Sequence, residues 1–295
     1  MRILVARSAG FCFGVRRAVE RAEGAAAGAA AVSLGPLVHN PQEVERLGEL
    51  GLRPVVETEV GTGQTVVTRS HGTLADQLAR LEARGPVVDT TCPFVKVCQR
   101  RAEKMAAEGY AVLIVGDPGH PEAESIASFA RRGAATRSHA PPVTVAAVAA
   151  QLENADGRST RVRNRLAVVA QTTTRERDLS RVVAACLPLY AEVRVFNTIC
   201  DATATRQREA LELARTADLL IVVGGRDSAN TRRLAEICAE VRETRWVETA
   251  EELAPGWVEG RRQVAVTAGA STPDRVISAV VRRLEVLGGT VQDGE

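Results

Sequence analysis

The sequence repeats one pattern at Leu4–Cys12 (LVARSAGFC), Val87–Cys92 (VVDTTC) and Val193–Cys200 (VRVFNTIC). Each stretch predicts a short strand, then a small polar turn, then a cysteine directly before a helix. Ten residues after each cysteine, an alanine falls inside that helix: Ala22, Ala102 and Ala210. The residue one position earlier varies between the repeats: Arg21, Arg101 and Glu209. Three thiols at the same point of three similar units predict that the fold brings them together.

Composition describes an ordinary globular protein. The 295 residues are 45% apolar and 25% charged, with a net charge of +2, which gives no reason to expect nucleic-acid binding. No apolar run is long enough to span a membrane. The N-terminus begins with a strand and lacks the pattern of a signal peptide. We therefore expect a cytoplasmic protein, in which six reduced cysteines serve as ligands or core residues.

Short apolar runs alternate with helical stretches along the whole chain. Nine strand–loop–helix units in three groups of three predict an α/β fold of three similar small domains with parallel-rich sheets. The predicted domains are 1–86 with Cys12, 87–191 with Cys92 and 192–295 with Cys200, and the C-terminal tail is a candidate to pack back on the first. The second group carries an insertion, for which we predict one helix at about Val143–Leu152 and a surface loop.

The cysteines fall into two classes. Cys98, Cys186 and Cys238 have the helical spacing of buried core residues. The other three stand at equivalent loop positions and suit two kinds of site. A zinc site would need a fourth ligand or a water, although no CxxC pair is present. An iron–sulfur cluster usually takes four cysteines, so three would leave one iron without a protein ligand.

The loops after the strands carry small polar side chains and imidazoles. In parallel sheets these loops share one edge, and most of them precede helices whose N-termini attract anions. Such donors suit a phosphate or diphosphate, although each could also be an ordinary helix cap. Besides Glu122, the candidates are His39, Asn40, Ser70, His71, His120, Thr172, Thr173, Ser228, Asn230, Ser271 and Thr272. Glu122 is the carboxylate of this set that could deliver a proton.

Eight motifs, in order along nearly the whole chain, resemble the 4-hydroxy-3-methylbut-2-enyl diphosphate reductase (IspH/LytB) family. They are Gly10–Val15, Val38–Asn40, Ser70–Gly72, Thr91–Pro93, Gly119–Glu122, Gln171–Thr173, Ser228–Asn230 and Thr267–Ser271. The resemblance implies three α/β domains in a pseudo-threefold arrangement around a central iron–sulfur cluster. It implies a cytoplasmic enzyme that reductively removes a hydroxyl from an allylic diphosphate in isoprenoid biosynthesis, with a ferredoxin or flavodoxin as electron donor.

The resemblance also implies roles for individual residues. Cys12, Cys92 and Cys200 would hold one 4Fe–4S cluster with one open iron. Glu122 would lead proton delivery and Thr172 would orient the substrate hydroxyl, with His120 beside them. The diphosphate would be bound by His39, His71, His120, Ser228, Ala229, Asn230 and Ser271.

One loop departs from the family pattern. Ala229 stands where the family usually has a second serine, and Asp227 adds a negative charge beside the expected anion site. The missing hydroxyl would weaken binding by about 1 kcal/mol unless water or backbone replaces it. This departure motivates an alternative, a cluster-bearing paralogue acting on another allylic diphosphate. A second alternative is a non-enzymatic protein, either an iron–sulfur sensor or a zinc protein using the same thiols.

Overall fold

The computed structural model describes residues 1–28, 31–147 and 163–292. The strands are β1 Arg2–Val5, β2 Ala31–Leu34, β3 Arg53–Val55, β4 Thr65–Val67, β5 Val87–Val88, β6 Ala111–Val115, β7 Val143–Ala146, β8 Arg163–Ala170, β9 Tyr190–Phe196, β10 Leu219–Val223, β11 Thr244–Val247, β12 Gln263–Ala268 and β13 Thr290–Val291. The helices are α1 Phe13–Ala26, α2 Pro41–Glu49, α3 Ala75–Arg84, α4 Pro93–Ala107, α5 Pro121–Ala134, α6 Glu176–Cys186, α7 Asp201–Thr216, α8 Ala229–Ala239 and α9 Asp274–Val286. None of these helices has the length and apolar character needed to cross a membrane.

The described strands form three parallel sheets, as the alternation of strands and helices predicts. Their orders are β11-β10-β12-β1-β13, β3-β2-β4-β5 and β7-β6-β8-β9. Every strand pairing within the described ranges is parallel. The α/β fold class is therefore confirmed.

The strand that precedes each cysteine belongs to the sheet of the preceding group. Strand β1 pairs with β12, β5 with β4, and β9 with β8. The C-terminal strand β13 joins the same sheet as β1, because it pairs with β1.

The chain divides into two compact units. The first comprises Met1–Val19, Val38–Leu50 and Asp201–Glu295, and the second comprises Glu20–Leu37 and Gly51–Cys200. The boundaries at 86/87 and 191/192 stay a prediction.

The central strands are buried on both faces. In the first unit, Leu219, Ile221 and Val223 of β10 pack into one apolar cluster, while Leu220 and Val222 pack into another. Strand β6 of the second unit divides its side chains between two clusters in the same way. Helices on both sides of a parallel sheet explain why these strands are continuous apolar runs in the sequence.

The predicted helix at about Val143–Leu152 is wrong over its first turn. Val143–Ala146 forms β7, which pairs with β6 at the edge of its sheet. The β-branched side chains of Val143, Thr144 and Val145 favour a strand, and the edge of the sheet gives them a partner. The rest of the predicted helix, and the surface loop, lie mainly at 148–162, outside the described residues.

Helices α4 and α5 approach each other closely at Gly133. A Cβ atom added there would lie 2.2 Å from the carbonyl oxygen of Glu103, whereas one at Gly24 in α1 would meet nothing within 4 Å. We expect Gly133→Ala to lower the free energy of unfolding by about 1–3 kcal/mol, because backbone must move to admit the methyl group. Gly24→Ala is the matched control and should be neutral or stabilising by up to about 1 kcal/mol. Urea unfolding of both variants tests this, and equal effects would contradict it.

Candidate active site

Each of the three repeated cysteines is tied to a neighbouring loop by the same hydrogen bond. The backbone N–H of Cys12 donates to Ala270 O (3.2 Å), that of Cys92 to Ser70 O (3.0 Å), and that of Cys200 to Thr172 O (3.1 Å). All three cysteines are half-buried, and each directly precedes a long helix. The bond therefore links every predicted ligand to a loop that carries a predicted substrate residue: Ser271, His71 and Thr172.

The other three cysteines are core residues, as their spacing predicts. Cys98, Cys186 and Cys238 are at most 1% exposed. Burial raises the pKa of Cys98 and of Cys238 to about 12, and it also raises the pKa of Cys186. These thiols stay protonated at neutral pH, so they do not suit a site that requires thiolates.

Two residues of α7 hold the turn before Cys12. The Arg206 guanidinium donates to Ser8 O (2.6 Å) and Gly10 O (2.8 Å). The Glu209 carboxylate accepts from the backbone N–H groups of Arg7 (2.6 Å) and Ser8 (2.9 Å). This contact explains why the third repeat has Glu209 where the other two have arginine, because only an acceptor can bind backbone N–H groups.

In the second unit, Glu122 is a buried carboxyl paired with Thr172. It is 3% exposed, and the Thr172 backbone N–H donates to its Oε1 at 2.7 Å. Burial raises the pKa of Glu122 to about 7, against the opposing hydrogen bonds from the Thr172 backbone and side chain. The nearby Asp117 charge raises it further. A carboxyl with this pKa can give or take a proton near neutral pH.

His120 lies beside Glu122, and its tautomer follows from its neighbours. The Glu122 backbone N–H donates to His120 Nδ1 at 3.1 Å. Gln171 accepts from the Asp117 backbone N–H through Oε1 (2.9 Å), which turns its amide nitrogen toward the same Nδ1 (3.1 Å). Two donors aimed at Nδ1 place the proton of a neutral ring on Nε2.

Gln171 belongs to one of the eight motifs, but the sequence pattern predicted no role for it. It is 1% exposed and directly follows the buried end of β8. The sequence did contain one signal for Gln171, because it is a polar residue at the end of an apolar strand. Its partners could not be foreseen, because Asp117 and His120 are more than 50 positions away in the sequence.

The loop of His71 is held by a buried polar cluster. Gln99 Nε2 donates to Ser125 Oγ (2.7 Å), which donates to Thr73 O (3.0 Å). Gly72 has φ +91°, and a Cβ atom there would lie 2.6 Å from Ser125 Oγ. The loop therefore needs glycine at this point. The His71 and His120 rings meet edge to face, with 5.7 Å between centroids.

The first unit brings His39 and Ser271 together. Ser271 Oγ donates to the His39 carbonyl at 3.2 Å. The following helices are also linked, because Arg275 pairs with the buried Glu43 carboxylate at 2.7 Å. Asn40 caps α2 by accepting from the Glu43 N–H at 3.0 Å. These contacts fix the two loops against each other.

Helix α8 begins with a set of groups suited to an anion. Ser228 is its N-cap and accepts from the Thr231 N–H at 3.3 Å. Asn230 is 5% exposed, yet neither its amide oxygen nor its amide nitrogen has a hydrogen-bond partner among the described residues. A buried amide without a partner, at a helix N-terminus, is suited to a polar ligand. Ala229 is 2% exposed and offers only a methyl group there.

The predicted site residues thus form two sets, one in each compact unit. The first unit contains Cys12, His39, Ser228, Ala229, Asn230 and Ser271, and the second contains Cys92, Cys200, His71, His120, Glu122 and Thr172. Within residues 1–28, 31–147 and 163–292, no three His, Cys, Asp or Glu side chains are grouped to hold a single metal ion. The individual ligand and substrate roles stay predictions.

The family profile described as LytB protein matches residues 3–285. The chain belongs to the LytB protein family. Two curated LytB relatives, from Pelobacter propionicus and Geobacter metallireducens, are named 4-hydroxy-3-methylbut-2-enyl diphosphate reductase. They are 44% and 45% identical to this chain, covering 96% of it and 98% and 97% of their own lengths.

Two solved structures are similar. One is described as (E)-4-hydroxy-3-methyl-but-2-enyl diphosphate reductase, the terminal enzyme of the non-mevalonate pathway. It is 39% identical, with a TM-score of 0.70, over 97% of this chain and 99% of that one. The other is the E-1-hydroxy-2-methyl-but-2-enyl-4-diphosphate reductase from Plasmodium falciparum, 21% identical with a TM-score of 0.83, over 99% of this chain and 92% of that one. The second likeness shows that this LytB protein shares its fold.

The raised pKa of Glu122 predicts how stability changes with pH. Between about pH 4.5 and 7 the folded protein holds a proton that the unfolded chain has lost. Stability therefore falls as pH rises through this range, by on the order of 3 kcal/mol. Glu122→Gln removes the carboxyl, so its stability relative to the wild type should increase with pH and level off above about 7.

Urea unfolding at several pH values between about 5 and 8 measures this difference. Glu124→Gln is the matched control, because it removes a carboxylate two residues further along the same helix and leaves Glu122 in place. If the free energies of unfolding of the wild type and of Glu122→Gln change with pH in parallel, Glu122 is not the group whose raised pKa causes the pH dependence.

Proposed function

We propose that this chain is a 4-hydroxy-3-methylbut-2-enyl diphosphate reductase. The reaction takes (E)-4-hydroxy-3-methylbut-2-enyl diphosphate, two electrons and two protons. It gives isopentenyl or dimethylallyl diphosphate and water, as the last step of the methylerythritol phosphate route. The observation that carries the proposal is the buried Glu122–Thr172 pair, a proton donor poised near neutral pH in a chain of the LytB family.

The chemistry of Cys12, Cys92 and Cys200 fits one 4Fe–4S cluster per chain. These three cysteines are half-buried at helix N-termini, where a negative charge is stabilised, while the remaining three are core residues. When bound, such a cluster supplies electrons singly and an iron with a free coordination position. The protein contributes three thiolates, held by the loops described above.

Neutral donors and helix N-termini would bind the diphosphate. The unpaired amide of Asn230 supports this assignment, together with the hydroxyls of Ser228 and Ser271. His120 would donate through Nε2, since its Nδ1 is an acceptor. His39 and His71 complete the set. The Ala229 side chain adds no hydrogen bond, so it contributes only shape.

Glu122 and Thr172 would deliver the proton that turns the leaving hydroxyl into water. At neutral pH a substantial fraction of Glu122 is protonated, because burial disfavours its charge. Once the proton leaves, the Thr172 backbone N–H at 2.7 Å stabilises the carboxylate. The Thr172 hydroxyl would orient the hydroxyl of the substrate. Burial of the pair limits its direct contact with bulk water.

The electrons would come from a ferredoxin or flavodoxin, and the reaction would take place in the cytoplasm. The family resemblance supports the donor, and the six free cysteines support the compartment. We propose no nucleic-acid or membrane partner.

The two classes of cysteine predict a clean division in iron binding. Cys12→Ala, Cys92→Ala and Cys200→Ala should each lose most of the iron and sulfide, because each removes one of only three protein ligands. Cys98→Ala, Cys186→Ala and Cys238→Ala are matched controls from the core and should retain both. Iron and sulfide analysis of anaerobically purified protein measures this. Full iron retention in any variant of the first group would remove that cysteine from the ligand set.

Turnover should depend on pH through Glu122. With the cluster in place and a reduced viologen as donor, the rate should fall as pH rises through about 7, because the general acid loses its proton. Glu122→Gln should lower kcat by roughly 100-fold or more, while Glu124→Gln should retain it. Anaerobic dye oxidation and analysis of five-carbon products give the measurement. A Glu122→Gln variant with wild-type kcat would contradict the role.

Ala229 supports a second candidate, the paralogue with another allylic diphosphate as substrate. The methyl group is buried at the start of α8, where a hydroxyl is expected by resemblance. A substrate panel separates the two candidates. Wild-type protein that holds a full cluster and turns over another allylic diphosphate, but not the hydroxymethylbutenyl compound, would favour the paralogue.

A further inference from the structure

One face of helix α4 is exposed although it carries large apolar side chains. Phe94 is 41% exposed and Val97 is 38% exposed. Arg101 and Lys104 continue the same face at helical spacing. The opposite face, with Val95, Cys98 and Ala102, is buried. The core therefore does not account for this combination of aromatic, aliphatic and basic side chains.

The edge strand β9 extends this face. Its alternate residues Glu192, Arg194 and Phe196 share one side of the strand. The Arg101 guanidinium lies over the Phe196 ring, 5.3 Å from its centroid, and Arg194 lies 3.8 Å from Glu108 at the end of α4. Helix and strand thus form one surface. We name it the basic–aromatic face and define it by Phe94, Val97, Arg101, Lys104, Arg194 and Phe196.

The basic–aromatic face carries an excess of positive charge. Three of its residues, Arg101, Lys104 and Arg194, are positively charged. A fourth cation, Arg165, lies over the Tyr110 ring, 3.9 Å from its centroid, and Arg194 lies over the same ring. In the part of the chain that the structure describes, two carboxylates, Glu108 and Glu192, contact these four cations. Arg101 contacts a ring and, within the described residues, no carboxylate. The local excess of two charges is as large as the net charge of the whole chain.

Both arms of the face end at proposed cluster ligands of the same compact unit. Helix α4 starts directly after Cys92, and Arg101 lies nine residues on, about 14 Å along the axis. Strand β9 ends at Phe196, four residues before Cys200, which is at most about 14 Å of extended chain. A protein docked here would have its own redox group near two thiolates.

We propose that the basic–aromatic face is the docking surface for the protein that delivers the electrons, a small acidic one-electron carrier with an iron–sulfur or flavin group. The proposal rests on the proposed function, since a reductase fed one electron at a time needs such a partner. Positive charge attracts and orients an acidic carrier. Exposed Phe94 and Val97, together with the half-buried Phe196, supply a small apolar centre, as expected of a transient interface.

The test compares a protein donor with a small-molecule donor. In the double variant Arg101→Glu/Lys104→Glu, kcat/KM for a reduced acidic flavodoxin should fall by about tenfold or more, through loss of electrostatic steering. Turnover with reduced viologen should be unchanged, because the dye needs no docking surface. Arg282→Glu is the control, an exposed arginine of α9 in the other compact unit.

Binding gives a readout that does not depend on turnover. Oxidised flavodoxin should bind the cluster-loaded wild type at low salt, and the double variant about tenfold more weakly. Raising the salt should weaken the wild-type complex far more than the variant complex. The single variant Lys104→Glu keeps Arg101 and loses one 3.8 Å contact, that between Lys104 and Glu108. It therefore tests the surface even if Arg101→Glu perturbs folding.

The outcomes separate this inference from the proposed function. Wild-type protein that is inactive with viologen would refute the reductase. Normal viologen turnover, with flavodoxin kinetics and binding equal in the wild type and both variants, would refute the docking surface alone. The third outcome concerns a short DNA duplex. If the wild type binds this duplex more tightly than flavodoxin, and the variants lose the DNA binding while their flavodoxin kinetics stay normal, the face binds nucleic acid and the proposal is overturned.

Discussion

The site depends on one repeated backbone hydrogen bond. Each of Cys12, Cys92 and Cys200 donates its N–H to the carbonyl of a loop from a neighbouring strand. That bond is possible because the strand before each cysteine joins the sheet of the preceding group, so its end lies beside another strand's loop. The loops of the proposed cluster ligands and of the proposed substrate residues are therefore fixed by the same constraint, and displacement of one loop would displace the other.

The second constraint is the burial of polar groups that the core does not satisfy. Glu122 is buried with a pKa of about 7, and Asn230 is buried with an amide that bonds to nothing in the described structure. Both arrangements cost free energy in the folded protein. They fit the proposed reductase, in which the carboxyl would hold a proton and the amide would meet an anion. Stability is given up at the positions that the proposed reaction uses.

Much of the fold could be predicted because the signals are local. The parallel α/β class follows from alternating apolar runs and helices, and Cys98, Cys186 and Cys238 follow from helical spacing. The strand at Val143–Ala146 was missed because a short β-branched run has no distinct periodicity. Its pairing with β6 decides its structure. The role of Gln171 was missed because its partners come from another loop.

The sequence by itself determined the fold class, the three equivalent cysteines and the set of loop residues, since each rests on residue type and spacing within a short window. Tertiary structure alone decided which sheet each cysteine's strand joins, the tautomer of His120 and the raised pKa of Glu122. It also decided that Arg101 stacks on Phe196. These properties arise from contacts between residues far apart in the chain and from the exclusion of water around them. Spacing along a sequence encodes neither.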